Sequence, residues 1–377
     1  MRPPRRLSWL LASLSACALV LAACGGDDAD SPADDPQAEG DADPADTDDT
    51  DSADDADDDG PAAGGDVDFP TGTVRILVGS GPGSGMDFLA RGLAPRLQEL
   101  WGESVVVENV PGANQSAAYH EAANSDPDGH TLFIGVEGTF GIHDQLGTID
   151  PGWAEFEWFG TLTEGPWAFH VDANGPIETF EDLLAAEPLR YGDGGYESPV
   201  NLVALTFFDA FGLDFIFTPG YDPGQAQSGV LTGEQHFVAR EVEQFVRYDQ
   251  GDDYTPIVIA AGDPHPDFPN AKTFDELADE YGVEFPGEMI FQLGLNIGTT
   301  PGTPPEVVDY LADSIITLIE EDEPFQEWRR ENLFEETMLV ENIGREVTSQ
   351  KVAALSAELA EVGLDDLQER LEAGTGR

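Results

Sequence analysis

Apolar and polar positions alternate along the chain in a way that predicts strands and helices in turn from about residue 69 onward. Short apolar runs predict strands, and apolar positions three or four residues apart predict helices. The predicted strands are Val74–Val78, Ser104–Glu108, Thr131–Val136, Phe156–Leu162, Phe215–Thr218, Gln235–Ala239, Pro256–Ala260 and Phe291–Ile297. The predicted helices are Asp87–Trp101, Gln115–Ala123, Phe180–Ala186, Pro199–Phe211, Thr273–Tyr281, Pro305–Glu320, Pro324–Asn332 and Val347–Val362. This alternation is typical of an α/β protein with mostly parallel sheets.

The first 23 residues have a different pattern, in which arginines precede an apolar stretch from Leu7 to Ala23. This layout predicts a secretory signal peptide over residues 1–23. The stretch ends in Leu21-Ala-Ala-Cys24-Gly, which resembles a bacterial lipobox, so Cys24 is expected to be acylated and to become the first mature residue. The alternative is an uncleaved membrane anchor, for which the run is short. Cys17 is the other cysteine of the chain, so a mature protein has no disulfide and no catalytic thiol.

Residues 24–68 are predicted to form a disordered acidic tether. They hold 17 acidic residues between Asp27 and Asp59, and aromatic and basic residues are missing from Gly25 to Gly65. Such a composition cannot bury enough apolar area to fold, and its charges repel one another. The alternative is an acidic tail that binds a partner.

The whole chain is strongly acidic, with 75 acidic residues, 16 basic residues and a net charge of −59. This charge excludes nucleic acid as a partner, since nucleic acid is bound through basic residues. Asp and Glu are abundant, whereas lysine is scarce, with Lys272 and Lys351 as the lysines of the chain. This composition indicates a protein that works at high salt. There the screening length is about 3 Å at 1 M, and self-repulsion becomes tolerable.

A glycine-rich loop, "VGSGPGSGMD", joins the first predicted strand to the first predicted helix. A triphosphate-binding loop is excluded because no lysine follows the glycines, and the dinucleotide motif fails because Ser84 or Met86 stands at its third glycine. Backbone amides in such a loop can bind an anion, although a tight turn with glycines for geometry alone remains open. Ser84 and Asp87 predict a capping box, and Pro95 predicts a kinked or shortened helix.

Eight separated stretches resemble, in the same order, the tripartite tricarboxylate transporter substrate-binding proteins, which are also called Bug receptors. They are "VGSGPGSGMDFLAR", "VVVENVPGANQ", "SDPDGHTLFIG", "ETFEDLLAA", "RYGDGGYESPVNLVA", "LTGEQHF", "DFPNAKTFDEL" and "TTPGTPPEVVDYL". The resemblance implies a two-lobed periplasmic-binding-protein fold, type II-like, in which each lobe is a mostly parallel sheet flanked by helices. The expected boundaries are 69–167 plus 289–377 for lobe 1 and 168–288 for lobe 2.

The function implied by this resemblance is extracytoplasmic solute binding. The protein is expected to capture a small organic carboxylate between its lobes and to deliver it to membrane transporter subunits. Acylated Cys24 would anchor it to the lipid bilayer at the outer face of the cell membrane. No cofactor and no metal are expected, because the spacing of the histidines does not match that of metal ligands. No residue pattern indicates a catalytic acid, base or nucleophile. The alternatives are an orphan sensor for a signalling kinase and a lipid-anchored hydrolase on the same scaffold.

Position by position, the resemblance implies ligand contacts in two facing loops and beside them. The residues are Ser80, Gly83, Ser84, Thr139, Gly195, Ser198, Tyr221 and Arg240. Asp87 matches a family aspartate and is assigned to helix capping at the site, because an acid facing an acid would repel. Ser80 and Met86 depart from the family pattern, which has an aromatic residue and a hydroxyl residue there.

The second loop, "GDGGYESPVN", precedes a helix with Ser198 as the expected N-cap and proline at the first helical position. Asp193 and Glu197 stand among the family's serine positions, and they either are solvated or bind a cationic group. Arg240 stands where the family has an aspartate. It either clamps a ligand carboxylate or forms a salt bridge between the lobes.

Overall fold

Strands and helices alternate in the computed structural model, which describes residues 67–221, 223–247, 251–285, 289–362, 364 and 367–374. The strands are β1 (Val74–Val78), β2 (Val105–Asn109), β3 (Thr131–Val136), β4 (Glu157–Asp172), β5 (Leu189–Asp193), β6 (Phe215–Pro219), β7 (Val238–Glu241), β8 (Tyr254–Ile259), β9 (Lys272–Thr273) and β10 (Gln292–Thr299). The predicted signal peptide, the predicted lipobox with Cys24 and the predicted acidic tether up to residue 66 lie outside the described residues.

The helices cover the sheet and carry its connections. They are α1 (Gly85–Trp101), α2 (Ser116–Ala123), α3 (Glu137–Gln145), α4 (Phe180–Ala185), α5 (Pro199–Phe211), α6 (Pro223–Leu231), α7 (Gln244–Arg247), α8 (Phe274–Tyr281), α9 (Pro305–Glu320), α10 (Glu323–Glu331), α11 (Arg345–Val362) and α12 (Leu367–Gly374). The described residues fall in one compact unit, which extends from Asp59 to Arg377.

Strand β4 is the longest strand, and it changes partners along its length. Its residues Glu157–Pro166 pair with β10, and Trp167–Asp172 pair with β7 and β8. The strand order is β2-β1-β3-β10-β4-β8-β9, with β7 also on β4, while β5 and β6 pair separately. We call β1–β3, β10 and the first part of β4 the first sheet region. The second sheet region comprises the last part of β4 with β7, β8 and β9.

The sheet is mixed rather than mostly parallel. The predicted parallel pairing holds for β1 with β2 and β3, for β5 with β6 and for β8 with β9. The pairs of β10 with β3, and of β4 with β10, β7 and β8, are antiparallel. The chain enters the second sheet region along β4 and returns along β10, which reverses the direction of these strands. The predicted lobe boundaries stay a prediction.

Apolar alternation along β1 places its side chains in two buried clusters. Ile76 and Val78 pack with Leu89 and Leu93 of α1, while Leu77 faces the opposite cluster, as the two-residue period of a strand requires. Helix α1 ends at Trp101, and Gly102 caps it with a φ of 73°. The helix is not shortened at Pro95, which lies inside it.

Candidate functional site

The first glycine loop is closed by a modified capping box. The Ser84 Oγ accepts a hydrogen bond from the Asp87 amide at 3.2 Å. The Asp87 Oδ2 accepts from the Gly83 amide at 2.8 Å instead of from the Ser84 amide, which donates to the Gly81 carbonyl at 3.3 Å. Gly83 has a φ of 83°, which favours glycine. Internal acceptors therefore engage both amides that the sequence assigned to the ligand.

Asp87 holds the loop together from the protein side. Its side chain is 5% exposed and accepts hydrogen bonds from Arg91 Nε at 2.9 Å and from Asn109 Nδ2 at 2.9 Å. Asn109 also donates to the Ser80 carbonyl at 3.0 Å, and the hydroxyls of Ser80 and Ser84 are hydrogen-bonded. Burial raises the pKa of Asp87, but the hydrogen bonds from Arg91, Gly83 and Asn109 outweigh burial and hold it below its usual value.

Two amides of the same loop remain available for an anion. Gly85 and Met86 begin α1, and their amides have no acceptor in the described part of the chain. The first amides of a helix have no intrahelical partner, and the helix dipole favours negative charge there. In the same loop, Gly81 has open space where a Cβ would stand.

A strained segment lies against the first loop. Ala113, Asn114 and Gln115 have φ values of 44°, 47° and 73°, which non-glycine residues rarely adopt. The Gln115 side chain fills the space beside Gly79, donates to Thr139 Oγ1 at 3.3 Å and accepts from the Val136 amide at 3.1 Å. Backbone strain of this kind concentrates at functional sites. Sequence analysis missed it, because nothing in "PGANQ" marks three consecutive left-handed residues.

The second loop is organised around Asp193 at the end of β5. Its Oδ1 accepts from Ser198 Oγ at 3.0 Å and from the Gly194 amide at 2.8 Å, and its Oδ2 accepts from Arg240 Nη1 at 3.0 Å. Ser198 holds the N-cap position of α5 as expected, but its side chain makes no capping bond to the helix. Asp193 and Glu197 are half-buried rather than fully solvated.

Arg240 of β7 therefore pairs with an acid at the end of β5, which belongs to the separate two-stranded sheet. Both Arg240 and Asp193 lie in the segment predicted as lobe 2, so this ion pair lies within that predicted lobe. A salt bridge of Arg240 between the lobes stays a prediction. The clamp interpretation requires a ligand carboxylate to approach a guanidinium that already binds Asp193 and the Ala239 carbonyl, at 2.6 Å. The ligand role of Arg240 stays a prediction.

Tyr221 and Gly195 lie at the margins of the second loop. The Tyr221 amide donates to the Asp193 carbonyl at 3.2 Å, and the Gly195 carbonyl accepts from Asn201 Nδ2 at 2.7 Å. Tyr221 also lines an open cavity of about 680 Å³ beside β6 and α6. None of the other predicted contact residues lines that cavity.

Helix α3, which carries Thr139, meets the start of α5 directly after the second loop. A Cβ on Gly138 would lie 3.0 Å from the Pro199 Cβ. Burial lowers the pKa of His143, and the negative charge of the nearby Glu197 opposes this lowering. Ser80, Gly83, Ser84 and Thr139 thus form one group, and Gly195, Ser198, Tyr221 and Arg240 form a second group across this contact. Ligand binding by these residues stays a prediction.

Glu137, the first residue of α3, is a buried acid that sequence analysis did not single out. It is 1% exposed, and its Oε2 has no hydrogen-bond partner. Its carboxyl occupies the space where Gly294 of β10 lacks a side chain, since a Cβ there would lie 2.2 Å from Glu137 Cδ. Burial raises the pKa of Glu137 to about 7; Glu164 adds to the rise, while Lys351 and Asn296 oppose it.

Within the described ranges, no helix is long and apolar enough to span a membrane. The same residues contain no group of three histidine, cysteine, aspartate or glutamate side chains arranged to hold a metal ion.

Comparison with protein families gives a match over residues 89–336 to the model described as tripartite tricarboxylate transporter family receptor. The matched range begins just after Asp87, so the first glycine loop lies outside it. A UPF0065 protein of Bordetella bronchiseptica is 23% identical over 249 residues, which cover 64% of this chain and 72% of that protein. A UPF0065 protein of Agrobacterium vitis, from the TAR-I ttuE-ttuC' intergenic region, is 28% identical over 175 residues, 44% of this chain. The chain spans 49% of that relative's length.

Solved structures share the fold. The periplasmic binding protein BugD has a TM-score of 0.66 at 20% identity, with 80% of this chain and 99% of BugD covered. MatC from Rhodopseudomonas palustris with bound malate has a TM-score of 0.62 at 22% identity, with 81% and 99% covered. R. palustris Rpa4515 with adipate has a TM-score of 0.63 at 21% identity, with 82% and 99% covered. The predicted α/β fold of periplasmic binding proteins is confirmed.

Proposed function

The chain belongs to the tripartite tricarboxylate transporter receptor family, and from this premise we propose that it captures a small organic carboxylate outside the cytoplasm. Two proteins of similar structure were solved with malate and with adipate, which supports a ligand of this class. Delivery to transporter subunits and attachment to the membrane through acylated Cys24 are parts of the same proposal. They rest on the family and on the sequence of the amino terminus.

The observation that carries the proposal is the pair of unengaged amides at the start of α1. The Gly85 and Met86 amides have no acceptor in the described part of the chain, and a Cβ on Gly81 of the same loop would meet no heavy atom within 4 Å. Oriented amides at a helix N-terminus bind a carboxylate without a cationic side chain. Asp87 supports this arrangement from behind, because its carboxylate is satisfied by Arg91, Asn109 and Gly83.

The test is Gly81→Val with Gly72→Val as its matched control. Neither glycine has a positive φ, and an added Cβ meets no atom within 4 Å at either position. Both variants should therefore fold with an unchanged melting temperature. Gly81 belongs to the loop that leads into the α1 amides, whereas Gly72 precedes β1. We therefore expect the affinity of Gly81→Val alone for the bound acid to fall at least about tenfold, which is about 1.4 kcal/mol.

Calorimetric titration with malate, adipate and any acid found by native mass spectrometry of the purified protein measures this effect. The proposal fails if the parent binds no carboxylate. It also fails in its assignment of the site if both variants bind like the parent.

A further inference from the structure

Arg247 extends from the second sheet region to the end of a helix packed on the first. It belongs to α7, directly after β7. Its Nε donates to the Asn332 carbonyl at 3.1 Å and its Nη2 donates to the Leu333 carbonyl at 3.2 Å. These carbonyls follow α10, which packs against α1 and α9. The guanidinium therefore binds the backbone just past the end of this helix.

On its own side, Arg247 is held by two acids. Its Nη1 lies 2.7 Å from Glu241 Oε2, and its Nη2 lies 3.3 Å from Glu243 Oε2. The side chains of Arg247 and Glu241 are each 5% exposed. A buried charge is tolerated only when it is paired and hydrogen-bonded. The arrangement therefore depends on both sets of contacts at once.

Glu241 also ties this ion pair to the crossing strand β4. A Cβ on Gly165 would lie 3.1 Å from Glu241 Oε1, so the carboxyl occupies the space left by that glycine. Gly165 pairs with Leu293 of β10. The ion pair thus lies against the strands along which the chain passes between the two sheet regions.

The contacts extend from Arg247 toward both candidate loops. Its Cζ lies 4.3 Å from the centre of the Phe334 ring, and Phe334 stacks on Phe88 with ring centres 6.4 Å apart. Phe88 follows Asp87 of the first loop. On the other side, Glu241 is next to Arg240, which binds Asp193 of the second loop.

We infer that Arg247 is a positioning residue that fixes the second sheet region relative to the first, and with it the separation of the two candidate ligand loops. The planar guanidinium of Arg247 binds two carbonyls and two carboxylates, and its face packs on the Phe334 ring. A lysine ammonium cannot reproduce this arrangement. The effect on ligand release rests on the proposed function. The effect on the relative placement of the two regions does not.

The test measures the distance between the regions by single-molecule energy transfer. Dyes are attached at Ser104→Cys, beside β2, and at Asp279→Cys in α8, both exposed positions. They are introduced in the full chain with Cys17 and Cys24 replaced by serine. The variants are Arg247→Lys and Arg247→Gln, and the control is Arg330→Gln. Arg330 lies in α10 itself, is 61% exposed and is 3.9 Å from Glu335.

We expect one narrow distance distribution for the parent and for Arg330→Gln, and a broadened or shifted distribution for both Arg247 variants. Release of malate or adipate, measured by stopped flow, should be about tenfold faster in the Arg247 variants, whereas a local structural role would lower only the melting temperature. Arg247→Lys keeps the positive charge, so it provides a folded variant for comparison if Arg247→Gln unfolds.

The inference is overturned if the lysine variant is folded and keeps the parent's distance distribution, whatever its melting temperature. If the parent binds neither acid, the proposed function fails, but the distance measurement still decides the role of Arg247.

Discussion

Glu137 illustrates how a single buried carboxyl can control the pH response of the protein. It lies at the end of β3 with Gly294 beneath it, and the charged groups that face it are Glu164 of β4 and Lys351 of α11, which form an ion pair with each other. Nothing in the local sequence "VEGT" distinguishes this glutamate from an exposed one. Its burial depends on a glycine that is more than 150 positions away in the chain.

Glu137→Gln should stabilise the protein increasingly as pH rises from about 5 to 8. The pKa of Glu137 is about 7 in the folded protein, above its ordinary value of 4.5, so the folded state binds the proton more tightly than the unfolded state. The parent therefore loses stability as pH rises through this range, by up to about 3 kcal/mol. Glutamine carries no proton to lose, and the loss should disappear.

Denaturant unfolding across this pH range measures the difference between variant and parent. Taking the difference removes the contribution of His170, which burial keeps neutral in both proteins by lowering its pKa to about 3. Glu327→Gln, at an exposed position of α10, serves as the control and should follow the parent. A stability difference that stays constant from pH 5 to 8 would contradict the assignment of a raised pKa to Glu137.

At the scale of elements, strong apolar patterns identified strands and helices correctly, whereas elements made by tertiary contacts were missed. Helices α5 and α9 have the predicted bounds because their apolar faces and flanking prolines are local signals. Helix α3 contains Gly138 and Gly141, which lower helix propensity, and it forms where Gly141 gives close access to Leu359 of α11. Strand β4 continues through Glu164-Gly-Pro166, a poor strand sequence, because β10 pairs with it.

The candidate site follows the same division between local and long-range signals. Ser84 and Asp87 could be placed at the start of α1 from spacing alone. The pairing of Asp193 with Arg240 could not be predicted in this way, because the two residues are 47 positions apart in the chain. The assignment of Gly83 as a ligand-binding amide missed the competition from Asp87, since a one-residue shift of a capping box is not visible in sequence.

Asp87→Asn should destabilise the start of α1 by about 1.5–3 kcal/mol, the typical contribution of hydrogen bonds to a charged group. The amide side chain keeps the shape but loses the charge that Arg91 and the Gly83 amide bind. Asp275→Asn is the matched control, because Asp275 lies in the first turn of α8 with an exposed side chain.

Denaturant unfolding of both variants compares the two losses. The control should lose only the contribution of the helix dipole, about 0.3–1 kcal/mol. Equal losses for Asp87→Asn and Asp275→Asn would show that the buried network around Asp87 adds nothing.

At the scale of the whole molecule, the charge of −59 opposes folding through self-repulsion. Arginines in the described ranges neutralise part of this charge locally. Arg75, for example, forms ion pairs with Glu108 and Glu121, at 2.6 Å to each. Most acids have no such neighbour, because the chain has 75 of them and 16 basic residues. The balance of stability is therefore expected to depend on the solvent.

The melting temperature should rise as potassium chloride increases from tens of millimolar to molar concentration. The screening length falls from about 30 Å at 0.01 M to about 3 Å at 1 M, which weakens repulsion between surface carboxylates. Buried pairs such as Arg247 with Glu241 are shielded from the ions and should change little. Scanning calorimetry measures the trend, and sucrose at equal osmolality controls for effects that do not depend on ionic strength. A melting temperature that does not change with salt would refute adaptation to high salt.

In the paired strands β4 and β10, Gly165 lies opposite Leu293, the neighbour of Gly294. Each glycine leaves room for a glutamate from elsewhere in the chain: Gly294 for Glu137, and Gly165 for Glu241. In evolutionary terms, each glycine and its glutamate form an epistatic pair. An alanine at position 294 would place its Cβ 2.2 Å from Glu137 Cδ, so this change should become accessible only after Glu137 has been replaced by a shorter residue. An alanine at position 165 would lie 3.1 Å from Glu241 Oε1 and asks only for a small shift of that side chain, so the order of substitutions should be strict for the first pair and loose for the second.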